Sequence, residues 1–397
     1  MSTYPLVPLA GVATVRSGYA FKSSDWTESG VPVLKIANIH SGLVDLAGCG
    51  FVDEATAAKA QSFTVERDDS LIAMSGASVG KVGRVRFSER ALVNQRVGRF
   101  SVLDPAKLDA DFLYYSLQLP ATVDYLTGSA YGSAQPNISP SLILNAEIPL
   151  PSLSEQKSIT DLLCSLDDKI AANDKVALTL SEIAAAKYSS TSSNSDHVVP
   201  LKEIVTTQYG VTTKASEEPG PYLIRVTDIN KKPWVEWETT PFCSVESKEW
   251  EKYKVSAGDI LVARMADPGK AAYIDVEHPD AVFASYLVRL RPFEPSQALY
   301  IYYFLCSPEY RAYSAGAMQG SVQKNMNAKV IVDTQIALPG EESLTEFNAF
   351  VSPIRSQIQQ MLSENATLKA VRDTLLPLLM SGKLRVQDAE TALEGVL

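Results

Sequence analysis

The segment PVLKIANI at residues 32–39 is matched 190 positions later by YLIRVTDI at residues 222–229. Three more pairs follow in the same order, at offsets of 188–190 residues: DSLIAM at 69–74 with DILVAR at 259–264, GSAQPNIS at 132–139 with GSVQKNMN at 320–327, and EIPLP at 147–151 with QIALP at 335–339. Solenoid repeats recur every ~20–50 residues, and this period is far longer. The sequence therefore indicates a duplicated domain.

The composition is typical of a globular protein with more than one domain. A chain of 397 residues is long enough for two or three domains, each with its own core. No run of about 18 apolar residues predicts a membrane span, and the start, MSTYPLVPLAGV, lacks the pattern of a signal peptide. Four scattered cysteines without a CxxC pair favour free thiols in a reducing compartment, so we predict a cytoplasmic protein.

The net charge of −10 argues at first against a nucleic-acid-binding protein. The charge is unevenly distributed, however. Residues 1–150 carry 12 basic and 14 acidic side chains and residues 198–340 carry 15 and 17, so most of the excess negative charge lies elsewhere. Residues 81–99 contain six basic residues and one acidic residue. A local basic strip of this kind keeps DNA binding open.

Each repeat is predicted to be an α+β domain, followed by one long helix. Short alternating runs such as KVGRVRF and PYLIRVTDI, bounded by Gly, Pro, Asp and Ser, predict strands. After each repeat, apolar residues recur at heptad spacing, with Asn173 on the first seam. These seams predict an interface with a partner helix: Ile159, Leu163, Leu166, Ile170, Leu180, Ile354, Ile358, Met361, Leu368, Leu375 and Leu379.

The predicted domain organisation has five parts. They are a first domain at 1–151, a central spacer helix at 152–190, a linker at 191–197, a second domain at 198–340, and a C-terminal helix with its tail at 341–397. If the helices pair antiparallel, as a coiled coil does, the duplication gives the molecule a pseudo-twofold axis. Two similar heads about one turn of B-DNA apart, ~34 Å, would suit a duplex. The alternative is that each helix packs only on its own domain.

Three segments resemble the specificity subunit of type I restriction–modification systems. EIPLPSLSEQKSI at 147–159 resembles the junction between the family's first target-recognition domain and its central helix, and RDTLLPLLMSGKLRV at 372–386 resembles its terminal helix. GSAQPNIS at 132–139 resembles the loop that closes a target-recognition domain. The second junction, QIALPGEESL at 335–344, lacks the Pro-x-x-x-Glu-Gln pattern of the first.

The resemblance implies a fold and a function. The fold is α+β, with two target-recognition domains joined and spaced by two long antiparallel helices. Each domain reads one half of an interrupted sequence in double-stranded DNA. The helices dock two methyltransferase subunits, which bind S-adenosylmethionine and methylate adenine, and motor–endonuclease subunits are optional further partners. This chain would carry specificity, without catalysis and without a cofactor of its own.

Candidate DNA-binding residues are polar or basic side chains at predicted strand ends and in Gly-rich loops, because base edges and phosphates need donors and acceptors. In the first domain they are Lys35, Asn38, Lys81, Arg84, Arg86, Asn94, Gln95, Arg96, Ser133, Gln135 and Asn137. In the second domain they are Arg225, Asp228, Asn230, Arg264, Lys270, Ser285, Tyr286, Ser321, Gln323, Lys324 and Asn325. The two sets differ residue by residue, as different half-sites require. Any one of these residues could instead be an ordinary solvated side chain.

The sequence contains few patterns that would support another function. It has no Asp/Asn-Pro-Pro-aromatic motif for amino methylation and no GxGxxG, and GASVGK at 76–81 has the wrong spacing for a phosphate-binding loop. The three histidines are scattered without metal-ligand spacing. The main alternative is a duplicated protein-interaction scaffold without DNA binding. Steep salt dependence of DNA binding would distinguish the two functions.

Overall fold

The computed structural model describes residues 3–130, 137–195, 197–318 and 325–393. The chain divides into two compact units. Unit 1 comprises residues 1–168 and 368–397, and unit 2 comprises residues 169–367. Each unit contains one copy of the duplicated domain and parts of both long helices. Among the described residues, no helix is both long enough and apolar enough to cross a membrane.

The first domain consists of short strands and four short helices. Its strands are β1 (Leu6–Pro8), β2 (Ala13–Ser17), β3 (Trp26–Thr27), β4 (Val31–Leu34), β5 (Gly42–Val44), β6 (Gly50–Val52), β7 (Thr64–Val65), β8 (Ser70–Ala73), β9 (Val82–Val85), β10 (Ala91–Val93), β11 (Val97–Val102) and β12 (Glu147–Pro149). Its helices are α1 (Glu54–Lys59), α2 (Ala110–Ser116), α3 (Pro120–Ala130) and α4 (Pro140–Leu144), and the long helix α5 (Leu153–Ser192) follows.

The second domain repeats this order. Its strands are β13 (Val198–Pro200), β14 (Val205–Tyr209), β15 (Ala215–Ser216), β16 (Tyr222–Ile224), β17 (Phe242–Cys243), β18 (Ile260–Ala263), β19 (Ala271–Tyr273), β20 (Ala281–Phe283), β21 (Leu287–Pro292) and β22 (Gln335–Ala337). Its helices are α6 (Ser247–Tyr253), α7 (Ala298–Cys306), α8 (Pro308–Ala317) and α9 (Ala328–Val332), followed by the long helix α10 (Glu341–Met380) and by α11 (Val386–Leu393).

The sheets show the duplication directly. In the first domain they have the orders β2-β11-β8-β9-β5 and β3-β6-β4-β10-β7, and in the second domain β14-β21-β18-β19 and β15-β17-β16-β20. Each domain also has a two-stranded sheet, β1-β12 or β13-β22, next to a long helix in sequence. The parallel pairs β4–β10 and β16–β20 match residue for residue, since Leu34 pairs with Val93 and Ile224 pairs with Phe283. The four sequence matches therefore correspond to one fold made twice.

The core of the second domain centres on α7. Every residue from Ala298 to Leu305 is buried, because the helix lies between the sheet and the long helices. The helical region that follows β21 consists of two helices, α7 and α8. Ser307 caps α8 by accepting a hydrogen bond from Tyr310 N, and Pro308 occupies the first turn. A proline there favours starting a new helix over continuing the old one.

The long helices pack together through the predicted seams, antiparallel within unit 2. Ala177 lies in one apolar cluster with Ile358, while Lys169 pairs with Glu364. Between these contacts, Asn173 Nδ2 donates to Asn365 Oδ1 (2.9 Å), and Asn365 Nδ2 donates to Asp174 Oδ1 (2.8 Å). Both asparagines are buried. A buried polar pair on an apolar seam favours one helix register over its alternatives.

Helix α5 ends later than composition predicts. The stretch 191–197 was expected to be a linker, but α5 continues to Ser192. Ser189 Oγ donates to Ala185 O and Thr191 Oγ1 donates to Lys187 O, so these side chains bond to the preceding helical turn. Serine and threonine can therefore extend a helix that neighbouring packing already stabilises.

Candidate nucleic-acid interface

Backbone hydrogen bonds bring together five loops of the first domain where its strands end. Four of these bonds are Tyr19 N to Val93 O (2.8 Å), Asn94 N to Leu34 O (3.0 Å), Met74 N to Arg96 O (2.9 Å) and Ile138 N to Met74 O (2.9 Å). We call these loops, at residues 18–19, 35, 74–75, 94–96 and 137–138, the first rim. The rim is a continuous edge, because residues 93–96 bond to Tyr19, Leu34 and Met74, and Met74 bonds in turn to Ile138.

The second domain has the same edge with the same bonds. The counterparts are Val211 N to Phe283 O (2.9 Å), Ala284 N to Ile224 O (2.9 Å), Arg264 N to Tyr286 O (3.0 Å) and Met326 N to Arg264 O (2.8 Å). We call residues 210–211, 225, 264–265, 284–286 and 325–326 the second rim. The backbone frame of the two rims is therefore duplicated along with the fold.

A glycine is required at the start of each rim. At Gly18 an added Cβ would lie closer than 3.0 Å to the carbonyl oxygens of Val93 and Asn94. At Gly210 it would lie equally close to those of Phe283 and Ala284. These oxygens belong to backbone, which a side-chain rotation does not move. The close approach of the strands therefore depends on a residue without a side chain.

The side chains on this shared frame differ. Buried Met74 of the first rim corresponds to half-buried Arg264 of the second. Exposed Arg96 corresponds to Tyr286, which is 57% exposed. An identical frame with different donors and acceptors can present two different surfaces to two different base sequences.

The structure places several predicted residues of the first domain on or beside the first rim. Gln95, Arg96 and Asn137 are exposed, and Asn94 is half-buried. Lys35 Nζ lies 4.2 Å from the ring centroid of Trp26. Lys81 is exposed just outside the rim, and its carbonyl oxygen accepts a hydrogen bond from Ala73 N (3.0 Å). This edge therefore presents cations and amides to solvent.

The second rim brings together a comparable set. Tyr286 and Asn325 are exposed, and Ser285 and Lys270 are half-buried. Arg225 is also half-buried, but Asp228 holds its guanidinium by two hydrogen bonds (3.0 and 2.8 Å). Asn230 and Lys270 line a cavity of about 470 Å³ in unit 2. Asn230 Oδ1 has no hydrogen-bond partner among the described residues.

Two predicted contacts, Asn38 and Asp228, have side chains that are buried and bonded within the fold. Asn38 is 1% exposed, donates to Ala47 O (2.9 Å) and accepts from Lys35 N (2.9 Å). Asp228, at the equivalent position, is also 1% exposed and accepts from Arg225 N (2.8 Å). Both side chains cap a short 3₁₀ turn after a strand. They shape the rims but do not face outward.

Arg84, another predicted DNA contact, is also occupied within the fold. Its side chain is buried, bonds to Asp111, lies 3.5 Å from Asp68 and stacks 5.0 Å from the ring centroid of Tyr114. Arg86 is only partly exposed and pairs with Asp68 (3.3 Å) and Asp168 (3.5 Å). Carboxylates already neutralise both cations. Arg84 and Arg86 therefore join β9 to neighbouring elements of unit 1.

Sequence reasoning missed the acidic side of this network. Tyr115 Oη donates to Asp167 Oδ2 (2.7 Å), and Arg372 Nη1 donates to Asp167 Oδ1 (2.7 Å). Burial raises the pKa of Tyr115, and the charge of Asp167 raises it further, so the hydroxyl stays protonated as a donor. The sequence did contain a signal for this network, because the predicted helix α5 carries adjacent acidic residues that could pair with the arginines of the first domain.

Five predicted residues lie outside the described part of the chain. They are Ser133 and Gln135 in the first domain and Ser321, Gln323 and Lys324 in the second. Their assignment to DNA contacts stays a prediction.

The seam residues of the long helices are covered within this chain. Ile159, Leu163, Leu166, Ile170, Ile358, Leu368, Leu375 and Leu379 are buried, and Leu180, Ile354 and Met361 are half-buried. A further subunit that binds these helices must therefore contact their outer faces.

No cluster of three or more His, Cys, Asp or Glu side chains arranged to hold a metal ion occurs among the described residues. The four cysteines are free thiols. The side chains on the rims offer hydrogen-bond donors, acceptors and positive charge, which are the groups that contact phosphates and base edges.

Comparison with known proteins identifies relatives of both halves. Residues 1–180 match the family described as type I restriction modification DNA specificity domain. The specificity subunit of the type I restriction enzyme MjaVIII from Methanocaldococcus jannaschii is 33% identical over 171 residues, which are 42% of this chain and 40% of that relative's length. The EcoBI specificity subunit from Escherichia coli is 23% identical over 426 residues, covering 96% of this chain and 86% of the relative.

A solved structure is similar in fold. The S subunit of a type I restriction–modification system from M. genitalium gives a TM-score of 0.54 at 16% identity, and the match covers 95% of this chain and 96% of that chain. At this identity the similarity concerns the fold alone.

Proposed function

We propose that this chain is a specificity subunit of a type I restriction–modification system, as the matching family and relatives indicate, and that its two rims read the two halves of an interrupted DNA sequence. The first domain would read one half-site and the second domain the other. The chemistry would lie in partner subunits, so this chain would supply recognition and no catalytic group.

The observation that carries this proposal is the pairing of an identical backbone frame with different side chains. The bond from Met74 N to Arg96 O in the first rim recurs as the bond from Arg264 N to Tyr286 O in the second. Duplication followed by change at the outward side chains is what two unlike half-sites would require. A scaffold that binds the same protein twice would be expected to keep the side chains alike.

The distribution of charge supports DNA as the ligand. Lys81, Arg96 and Asn137 are exposed on or next to the first rim. Among the described residues, neither Lys81 nor Arg96 forms an ion pair with a carboxylate, unlike Arg84 and Arg86. A cation at an exposed edge that has no carboxylate partner is free to neutralise a phosphate of the DNA backbone.

We further propose that two methyltransferase subunits bind the outer faces of the long helices. Val176 and Ile183 of α5 are each 42% exposed and lie one heptad apart, so they occupy one stripe of that helix. Phe350 of α10 is 46% exposed. These side chains are candidate contacts if they form part of a contiguous apolar patch, because such patches mark protein interaction sites. The S-adenosylmethionine would be bound by those subunits, and motor–endonuclease subunits would bind the same assembly in a restriction enzyme.

Deleting the gene tests the proposed function. Single-molecule sequencing of genomic DNA should show adenine methylation at one interrupted, two-part motif in the host and its loss in the deletion strain. Exchanging residues 1–150 for those of a relative should change one half of the motif and leave the other. An unchanged methylation pattern in the deletion strain would contradict the proposal and favour a protein scaffold.

Variants of the basic strip should separate DNA contacts from structural arginines. We expect the double variant Lys81→Ala/Arg96→Ala to fold normally while its assembled complex binds DNA more weakly. If both contact phosphates, the slope of log affinity against log salt should fall by about 2. Arg84→Ala should instead destabilise unit 1 by about 1–3 kcal/mol, because it removes a buried side chain that packs on Tyr114 and pairs with the partly exposed carboxylate of Asp111.

Filter binding over a salt series, together with thermal unfolding, measures both effects. Lys107→Ala is the matched control, since Lys107 is 69% exposed and pairs only with Asp104 of its own turn. If the Lys81→Ala/Arg96→Ala variant binds DNA at low salt with wild-type affinity, these residues do not contact the DNA.

A further inference from the structure

Arg264 is fixed at the centre of the second rim by its backbone. It follows β18 directly, its N–H donates to Tyr286 O (3.0 Å), and its carbonyl oxygen accepts from Met326 N (2.8 Å). The residue is thus bonded to the loops on either side of it. Its side chain therefore starts from a well-defined position.

The side chain of Arg264 is also held, on two sides. Its guanidinium carbon lies 4.9 Å from the ring centroid of Tyr209, and Nε and Nη2 lie 3.4 and 3.3 Å from Asn325 Oδ1. Tyr209 is itself fixed, because its hydroxyl accepts a hydrogen bond from Ala328 N (2.9 Å). Stacking on a ring face restricts the guanidinium plane, and the contacts with Asn325 leave the Nη1 donors and the second Nη2 donor available.

The charge of Arg264 is not neutralised by a carboxylate. Among the residues that the structure describes, no aspartate or glutamate forms an ion pair with it. The other arginines of this sheet region differ, since Arg225 pairs with Asp228, and Arg289 and Arg291 both pair with Asp259. Tyr209 and Asn325 orient this half-buried guanidinium but do not neutralise its charge, so it is available to an acceptor on a ligand. Its geometry suits a ligand with two adjacent acceptors.

We propose that Arg264 reads a guanine in the second half-site. The inference rests on the proposed function and makes it more specific. Guanine presents O6 and N7 as neighbouring acceptors in the major groove, and the planar fork of arginine matches them with two parallel hydrogen bonds. Met74, the counterpart of Arg264 in the first domain, is buried and has no N–H or O–H donor in its side chain. This position of the frame can therefore supply a guanine contact in the second half-site but not in the first.

Arg264→Ala and Arg264→Gln test this assignment in the full chain, expressed with its partner subunits. A base contact affects the preference at one position, whereas a phosphate contact weakens binding at all sequences alike. We expect the wild-type motif to contain an invariant guanine in the second half, and both variants to lose about 10- to 100-fold of that discrimination. The first half of the motif should stay unchanged and serves as an internal control.

Genome-wide methylation sequencing of strains that carry each variant gives the consensus directly. A variant that methylates poorly at all sites needs a second assay. The methylation rate of the purified complex is measured on four duplexes that differ only at the guanine position, and the ratio of the rate with guanine to the rate with each other base gives the discrimination. Such a ratio does not depend on the overall affinity. Lys202→Ala, an exposed cation of the same domain, is the matched control and should keep the full consensus.

The outcomes separate this inference from the proposed function. A wild-type consensus at reduced occupancy would overturn it, because Arg264 would then contact phosphate. A change in the first half-site, or loss of preference at an A·T pair only, would overturn it as well. If deletion of the gene abolishes no bipartite motif, the proposed function itself fails. If the motif exists but both variants keep its guanine, only the role of Arg264 fails.

Discussion

Gly210→Ala is expected to abolish the second rim and to cost at least about 3 kcal/mol of the stability of unit 2. The new Cβ would lie closer than 3.0 Å to the carbonyl oxygens of Phe283 and Ala284. To relieve the clash, the chain must move away and break the hydrogen bond from Val211 N to Phe283 O. Chemical denaturation should show the loss of stability. Methylation sequencing should show loss of the two-part motif.

Gly316→Ala is the matched control in the same unit. Gly316 lies inside α8, and an added Cβ there has no heavy atom within 4 Å. Alanine is favoured over glycine in a helix by about 1 kcal/mol, so this variant should be unchanged or slightly more stable. If Gly210→Ala were as stable as Gly316→Ala, the close approach of β14 and β20 would not depend on glycine. The duplicated frame would then need another explanation.

The duplication and the long helices could be predicted from the sequence because each rests on a period. Matching segments at a fixed offset identified the two domains, and the heptad spacing identified α5 and α10 as helices with an apolar seam. Turn residues at strand ends located parts of the rims, such as Gln95 and Arg96. Periodicity and turn chemistry are local properties, so a single sequence contains them.

The side-chain partners could not be predicted, because they depend on what lies opposite. Alternation in KVGRVRF correctly predicted the strand β9, which contains Arg84 and is followed directly by Arg86. It did not reveal that Asp111 and Asp168 face them, so an internal ion-pair network was interpreted as a DNA-binding strip. The roles of Tyr209 and Asn325 around Arg264 were likewise not predictable. These contacts join residues 55 or more positions apart.

An ion pair also joins the second domain to α10. In unit 1 the arginine, Arg86, belongs to the domain and the acid, Asp168, belongs to the long helix, whereas in unit 2 the positions of acid and base are reversed. Here the acid, Asp275, follows β19, and the base, Arg355, is on the helix. Arg355 donates to both carboxylate oxygens (3.0 and 2.5 Å) and to Pro233 O (3.3 Å), and Gln359 donates to the same carboxylate (2.8 Å). Both charged side chains are almost completely buried. Removing one partner therefore leaves an uncompensated charge in the interior.

We expect Arg355→Met to destabilise unit 2 by about 3–5 kcal/mol. Methionine retains much of the apolar volume, so the loss should reflect the unpaired Asp275 more than a cavity. The double variant Arg355→Met/Asp275→Asn should recover most of the lost stability, because it removes the charge and keeps an acceptor for Gln359. Lys202→Ala should cost less than about 1 kcal/mol, because the pair of Lys202 with Asp333 is exposed. Denaturant titrations of the four proteins measure these differences.

The Arg355→Met variant should also become more stable as the pH falls. Burial already raises the pKa of Asp275, and the charge and hydrogen bonds of Arg355 oppose that rise. Without Arg355 the folded-state pKa rises further above the unfolded value of about 4, so folding favours the protonated acid. The stability that the variant gains from protonation is present at low pH and is lost as the pH increases through the folded-state pKa. A deficit relative to wild type that stays constant between pH 8 and pH 5 would show that packing, and not the buried carboxylate, dominates the effect.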